Sequence, residues 1–586
     1  LETDTRSVLK FYWPDEQGRY SENQAAQLLI KPGKTKYQLR VTDISGLDHL
    51  RLDPSENKFA RVSIRTLQIK QVGYPNLQLQ SKEDFSRLEL ISGVETMMRH
   101  PQGGVTLDIH SLDPQLKLVF PAMEKQISWL DELKPGIFLL LLAAGCYYIS
   151  IVFSNDSSFI PLLSLFVLAL ILVMATISDF NTHPDEIVHV AAGSYYKEHN
   201  LPPRVGDPAI EHTYSAYGVS RLHSGEIYYF LAGKYLQALN SLHSKPYKAL
   251  RLFNVLLFCS LILYAFQQVD FRFFLLPLLI SPQIWYVFSY FDSDAFALFV
   301  SMLGAYQLAA ENSALNALLR DQPGKWGWVT PLTLGLLFGL LLLQKLNFYF
   351  LYIFFLFYFI WRIRIVPLAL SKRMIFRFIT LVLVGCSLFA SFRVVDAWVN
   401  DFKKEQLTFQ ARETYGKDIY KPSTPLEKKH AYLQMRDRGK TLQEMLRLDS
   451  WGEKSFRSSF GVYGYTQYSG SFSYYDYVRM TTLLLLLSLI ISVVYRGGIS
   501  GNALLGIAGG CAACFFAGLI YHAWTADFQA QGRYLLPLVP MLAILSYHFQ
   551  RIIIRPIFYS LFFILFSLGV YNFIFVGLHD IGKSAI

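Results

Sequence analysis

The stretch Ser158-Phe-Ile-Pro-Leu-Leu-Ser-Leu-Phe-Val-Leu-Ala-Leu-Ile-Leu-Val-Met-Ala-Thr-Ile-Ser178 carries no charge, and shortly after it the chain reads His183-Pro-Asp-Glu-Ile-Val-His189. An apolar run of some 20 residues can cross a hydrocarbon layer roughly 30 Å thick as a helix. An acidic pair set where such a helix leaves the bilayer is costly to hold, and side chains kept at that cost mark functional sites. The two features together predict a membrane fold and the place of its chemistry.

Composition extends that reading to the whole chain. Its 586 residues are 52% hydrophobic and 16% aromatic but only 17% charged, where soluble proteins carry about 25%; the mean hydropathy is +0.28. Twelve apolar runs lie near 136–154, 158–178, 249–268, 271–290, 292–311, 328–344, 346–363, 374–395, 479–496, 501–521, 533–550 and 553–577. Arg362, Arg364, Lys372, Arg373 and Arg377 gather between the seventh and eighth, Arg496 follows the ninth, and Arg551 and Arg555 follow the eleventh. The positive-inside rule assigns these basic loops to the cytoplasm. The N-terminal region, 179–248, the turn at 290–294, Lys345, 396–478, 522–533 and the C-terminus then face outward. The net charge of +10 reads as cytoplasmic loops held against anionic lipid rather than as a nucleic-acid surface.

The expected fold is a polytopic α-helical membrane protein of about twelve transmembrane helices with an N-terminal extracytoplasmic β-sandwich. Residues 1–130 make the β-rich domain. Short alternating runs such as Tyr37-Gln-Leu-Arg-Val41, Arg61-Val-Ser-Ile-Arg65 and Val105-Thr-Leu-Asp-Ile109 are separated there by Pro, Gly, Asn and Asp. Residues 131–586 make the transmembrane domain, with external loops 179–248 and 396–478. The first loop contains two amphipathic pieces, 186–199 and 224–242, suited to the interface. An outward-facing region at Leu1 with no signal-like segment of its own implies a cleaved signal or an earlier membrane helix upstream. All five cysteines, Cys146, Cys259, Cys386, Cys511 and Cys514, lie in apolar runs, so disulfides do not hold the external regions. Cys511-Ala-Ala-Cys514 has redox or metal spacing, but inside a membrane helix it reads as small residues for packing.

Under this topology, charges distant in sequence collect at one membrane face. Asp179, Asp185 and Glu186 open the first large loop, and Asp292 and Asp294 sit at the turn after the fourth segment. Lys345 stands in Gln344-Lys-Leu-Asn347, and Arg533 in Gln531-Gly-Arg-Tyr-Leu-Leu-Pro537. Carboxylates and cations at one depth suit a site that removes a proton and holds an anion.

Asp185-Glu186-Ile-Val-His189, followed by Ala-Ala-Gly-Ser-Tyr-Tyr196, resembles the acidic first-loop motif of protein O-mannosyltransferases and other GT-C glycosyltransferases. A closer resemblance is to bacterial multi-pass proteins with an early His-Pro-Asp-Glu motif and a late Gln-Gly-Arg-Tyr-x-x-Pro motif, here 183–186 and 531–537. Leu50-Arg-Leu-Asp-Pro54 is similar to a turn in jelly-roll-like domains attached to some bacterial membrane glycosyltransferases. The likeness covers roughly 136–577 in organisation and a few dozen residues in motif. It implies an inverting enzyme that moves a monosaccharide from a polyprenyl-phosphate carrier, such as undecaprenyl phosphate, to a hydroxyl outside the cytoplasm. The acceptor would be an envelope polysaccharide such as O-antigen, a lipid or a protein. The setting would be a bacterial inner membrane, with the site facing the periplasm.

In that reading Asp185 or Glu186 is the base, with His183, His189, Asp292 and Asp294 in support. Arg533, Lys345 and Tyr534 hold the donor phosphate. Each residue also has a plainer role open to it. The acidic pair can cap the helix starting near Ile187, and Asp292 or Asp294 can cap the fifth segment, with Asp294 pointing into that helix. Arg533 and Lys345 can snorkel to headgroups, and Tyr534 can sit in the aromatic belt. No cofactor is required. A divalent ion serves some GT-C enzymes, but His183 and His189 are off the i,i+4 spacing of a helical zinc pair and Pro184 lies between them. His199, His212 and His223 read as polar surface, and the aromatics of 460–475 as sugar-stacking faces or an interface belt. An oligosaccharide ligase or polymerase is the alternative enzyme. A polysaccharide or lipid transporter would keep its charges at mid-membrane on broken helices, whereas these gather at one face.

Overall fold

A computed structural model describes residues 1–584 apart from 15–17, 21–23, 40–48, 71–74, 122–128, 153–156, 240–244, 323–326 and 367–369. The chain divides into two compact units. One comprises Leu1–Leu142, Val462–Asp476 and Ile574–Ile586, and the other Ala143–Gly461 and Tyr477–Phe573.

The first unit is β-rich. Glu2–Thr3, Arg61–Ile64, Val105–Ile109 and Val94–Arg99 form one antiparallel sheet in that order. Ala25–Ile30, Ser7–Tyr12, His49–Asp53, Gln115–Val119 and Leu88–Ser92 form a second. Side chains alternate across a strand. Val62, Leu107 and Ile109 from the first sheet therefore meet Ile30, Leu52 and Leu116 from the second in one buried apolar cluster. Two expectations change here. Leu50–Pro54 is not a turn: His49–Asp53 is a strand between Ser7–Tyr12 and Gln115–Val119, and Pro54, which has no N–H to donate, follows its last residue. Residues 37–39 form no strand, and 40–41 lie outside the described residues.

The second unit is helical. Eight helices among the described residues are long and apolar enough to cross a membrane: Phe159–Ile177, Pro246–Gln267, Ser293–Leu319, Leu346–Ile365, Lys372–Val399, Phe472–Arg496, Gly498–Thr525 and Arg555–Gly582. This is a polytopic helical membrane protein. Three of the other expected segments differ from straight spans. The run at 271–290 is a pair, Val269–Leu279 and Pro282–Ser289, bent by 98°. Proline cannot donate an N–H and displaces the preceding residue from helical geometry, so Pro282 starts a new helix, every residue of which is buried. The runs at 328–344 and 533–550 become the short helices Val329–Leu342 and Leu538–Phe549, and the first run lies within the helix Trp129–Val152.

Packing follows side-chain size. Val329–Leu342 lies against Lys372–Val399, where a Cβ on Gly335, Gly339 or Gly385 would come within 2.4–2.7 Å of the facing helix. Small residues at such crossings let helix backbones approach closely in a membrane. The opposite face of Lys372–Val399 exposes Phe376, Ile379 and Leu383, as a lipid-facing surface does. Glu186–Glu198 and Ile227–Ala238, the two expected amphipathic pieces, pack on each other.

Candidate functional site

Four helix boundaries supply the candidate site. Asp185 precedes Glu186–Glu198, Asp292 precedes Ser293–Ala309, Lys345 precedes Leu346–Phe350, and Arg533 lies in Gly532–Leu535. Backbone N–H groups at helix starts lack intrahelical partners, so polar side chains are tolerated there beside apolar spans. Asp292 uses this directly: its Oδ1 accepts from the Asp294 N–H at 2.8 Å.

Arg533 ties the parts together. One terminal nitrogen lies 3.2 Å from Asp185 Oδ2 and the other 3.3 Å from Asp292 Oδ2, while its guanidinium rests over the Tyr534 ring. Lys345 Nζ is 2.8 Å from Asp294 Oδ2 and 3.5 Å from Asp292 Oδ1. Asp294 was expected to point into its helix; instead it faces Lys345, and both carboxylates are fully buried. Arg221 approaches Asp185 Oδ2 at 4.0 Å. Three carboxylates thus meet three cations, the near-neutral balance a dry interior demands.

The cluster is graded in exposure. Asp185 is 43% exposed and Arg221 30%, so these two form its open end. Asp185 has φ +58°, a left-handed conformation costing roughly 1–2 kcal/mol for a residue with a Cβ. Its side chain makes no capping hydrogen bond to the helix that follows. The carboxylate is directed to the two arginines instead. Burial pushes the Asp185 carboxyl up, but Arg533 and Arg221 outweigh it and hold it below its ordinary 3.8. Burial likewise opposes ionisation of Asp292, while Lys345 and Arg533 hold it ionised far below the usual range.

The histidines stay neutral. His189 is fully buried, bonded through Nδ1 to Tyr229 Oη at 2.8 Å, with Nε2 facing Asp292 Oδ2 at 3.7 Å. Burial pushes it down to about 3. His183 is held between Tyr286 Oη and Ser178 Oγ, both at 2.8 Å, and stacks on Tyr290; burial and then the nearby Arg251 push it well down.

Glu186 goes elsewhere. Its two oxygens accept from Arg251 Nε at 2.6 Å and Nη2 at 2.8 Å, with both side chains fully buried. Arg251 also donates to the carbonyls of Ala175, Ser178 and Asp179, and Glu186 accepts the Asn181 N–H. This clamp fastens the chain from the end of Phe159–Ile177 to the base of Glu186–Glu198, with Asp185 at its edge.

Asp185, Asp292, Asp294, Lys345 and Arg533 therefore form one network, His189 borders it, and Glu186 and His183 support it from behind. Arg221, Tyr229 and Arg251 went unread in the sequence. Arg251, a charge two residues into the apolar run at 249–268, was the available signal; Arg221 sits in a mixed polar loop without one. Among the described residues no group of three His, Cys, Asp or Glu side chains is placed to hold a metal. The aromatic stretch 460–475 offers fewer faces than expected, because Tyr463, Tyr468, Tyr474 and Tyr475 are buried.

The late glycine of the motif has a steric reason. A Cβ on Gly532 would sit 2.2 Å from the Ser459 nitrogen and 2.4 Å from its Cα, and the Gly532 N–H donates to Ser458 Oγ. Gly532→Ala must push the Arg533 segment off the helix Trp451–Ser459. We expect a loss of about 1–3 kcal/mol, the usual cost of overpacking, measured by thermal unfolding. Gly510→Ala, where nothing lies within 4 Å of the added carbon, should be neutral. Equal stability of the two variants would refute the steric account.

Fold and site together define a polytopic helical membrane protein with a balanced charge cluster at its helix ends, open at Asp185. Comparison with protein-family models, curated proteins and solved structures gives no match to the chain.

Proposed function

We propose that this protein is an integral-membrane glycosyltransferase of the GT-C class, moving a monosaccharide with inversion from a polyprenyl-phosphate carrier to an extracytoplasmic hydroxyl. The observation that carries the reading is Asp185: a part-exposed carboxylate, held off its own helix and set between Arg533 and Arg221. Base and anion grip within one short reach are what transfer from a phosphate leaving group needs. In this reading the twelve helical segments form the GT-C membrane domain with the site facing outward. The two-sheet unit is a jelly-roll-like sandwich that contributes to acceptor recognition.

The chemistry follows from charge. Without donor, Arg533 neutralises Asp185 and weakens it as a base. A bound phosphate competes for Arg533 and Arg221, releasing the carboxylate. Asp185 then takes the acceptor hydroxyl proton as the acceptor oxygen bonds to the sugar's anomeric carbon. The bond from that carbon to the phosphate oxygen breaks, and its electron pair leaves with the polyprenyl phosphate, whose charge the arginines stabilise. Asp185 returns its proton to water. Lys345 pairs most closely with Asp294, which leaves Asp292 to anchor Arg533.

The test uses the full chain in lipid nanodiscs with radiolabelled polyprenyl-phosphate sugars and polysaccharide, lipid or protein acceptors. Label should pass to one acceptor class. Arg533→Gln should weaken donor use about tenfold or more, as loss of a charge-assisted hydrogen bond does. Failure to consume any polyprenyl donor, with a solute crossing proteoliposomes instead, would make the protein a transporter. Transfer of preassembled oligosaccharide alone would make it a ligase.

A further inference from the structure

Glu226 is an acidic side chain to which the site described above gives no task. It stands at a fifth helix boundary, directly before Ile227–Ala238, and makes no capping hydrogen bond to that helix. The residue is 8% exposed. Its Oε2 is buried without a hydrogen-bond partner. Among the described residues no Lys, Arg or His nitrogen lies within 4.0 Å of the carboxylate. Arg393, packed against the neighbouring Gly225, lies over the Phe389 ring and does not pair with it.

Its neighbours tie Glu226 to the Asp185 cluster. The next residue, Ile227, donates its N–H to the Leu343 carbonyl at 3.1 Å, on the turn that carries Lys345. Just upstream, Arg221 faces Asp185, and one turn downstream Tyr229 is bonded to His189. The Glu226 charge acts on both the Arg221 guanidinium and the Tyr229 hydroxyl. A buried acceptor without a partner gives up hydration for nothing in return, so a site that keeps one has a donor to receive there. A metal ion would need further ligands, and among the described residues no group of three His, Cys, Asp or Glu is placed to supply them. The donors that a sugar offers are its hydroxyls. Glu226 is more deeply buried than Asp185, which is 43% exposed, and it adjoins the Arg221 of the phosphate grip. A group there meets the sugar that the phosphate carries, while an acceptor arrives at the open end.

We propose that Glu226 is a specificity-determining residue whose carboxylate accepts a hydrogen bond from a ring hydroxyl of the monosaccharide carried on the polyprenyl phosphate, an inference that rests on the transferase reading above. The donor is then a sugar that keeps this hydroxyl free. A site built to bond a hydroxyl rejects the analogue lacking it, because its own buried acceptor is left unpaired.

The test measures transfer by the full chain in nanodiscs from polyprenyl-phosphate glucose, mannose and galactose and from the 2-, 3-, 4- and 6-deoxy forms of each, with binding of bare polyprenyl phosphate and thermal unfolding in parallel. Wild type should lose about a hundredfold or more in kcat/KM on one deoxy form of the sugar it transfers. Glu226→Leu should cut kcat/KM for the parent sugar about tenfold to a hundredfold, the worth of a hydrogen bond to a charged group. It should leave that deoxy form and the binding of bare polyprenyl phosphate nearly unchanged. It should also unfold no earlier than wild type, since it removes an oxygen that nothing satisfies. Glu226→Gln, which keeps one acceptor oxygen, should restore part of the discrimination and reports on the residue should Glu226→Leu not fold. Equal losses on every parent and deoxy donor, with earlier unfolding, would make Glu226 structural and overturn the proposal. A loss that varies with the acceptor and not with the donor would overturn the assignment to the donor sugar. If wild type uses none of these donors and binds none better than bare polyprenyl phosphate, the transferase reading itself fails and this inference with it.

Discussion

Asp185→Asn should abolish sugar transfer while the protein folds and keeps its thermal stability. The amide preserves shape and a contact to Arg533 but cannot accept the hydroxyl proton, and loss of a general base typically costs 10²–10⁴-fold in rate, an order-of-magnitude range. Stability should change little, because the side chain is 43% exposed and surface ion pairs contribute about 0–1 kcal/mol. The pH profile gives an independent check. Asp185 is held below 3.8, so its ionised form persists as pH falls until that depressed value is reached. kcat/KM should therefore stay flat from neutrality to about pH 5 and fall only below about pH 4. An acid limb near pH 6.5 would point to a histidine, against the neutral His189 that burial enforces. Full activity in Asp185→Asn would remove the residue from the chemistry.

Membrane class and most of the charge cluster, Arg221 apart, were readable from sequence, and for one reason: helix ends beside apolar runs are where polar side chains survive. Asp185, Asp292, Lys345 and Arg533 each stood at such an end, and the structure joins them within 3.5 Å contacts. What sequence could not order was direction. Asp185 stands in a left-handed conformation just before the helix that Glu186 opens, so the two, adjacent and chemically alike, face different surroundings. One turns to Arg533 and the other to Arg251. The bend between Val269–Leu279 and Pro282–Ser289 was hidden for a different reason. Hydropathy averages over a window and is blind to the proline that breaks it, although the break buries the whole second helix and so sets the approach to Asp292.

Glu186→Gln and Arg251→Met should each be strongly destabilising, by about 3–5 kcal/mol, because either leaves one member of a fully buried ion pair uncompensated. Arg251→Met should be the worse. It strands Glu186 and also removes the donors to the carbonyls of Ala175, Ser178 and Asp179, and unsatisfied buried acceptors cost roughly 1–3 kcal/mol each. The double variant Glu186→Leu/Arg251→Met should lose less than the two single losses added together, since no lone charge remains; a thermal-unfolding double-mutant cycle measures that coupling. The same variants decide between the two carboxylates. If Glu186 only positions Asp185, the folded fraction of Glu186→Gln should keep measurable transfer with an unshifted acid limb and lose rate through kcat as Asp185 drifts from Arg533. If Glu186→Gln instead leaves stability intact and abolishes transfer, Glu186 is the base and the clamp is a resting arrangement that substrate must open. The geometry argues for the first outcome. Three charge-assisted contacts to a fully buried carboxylate would have to break before Glu186 could reach an acceptor, whereas Asp185 already stands at the open end.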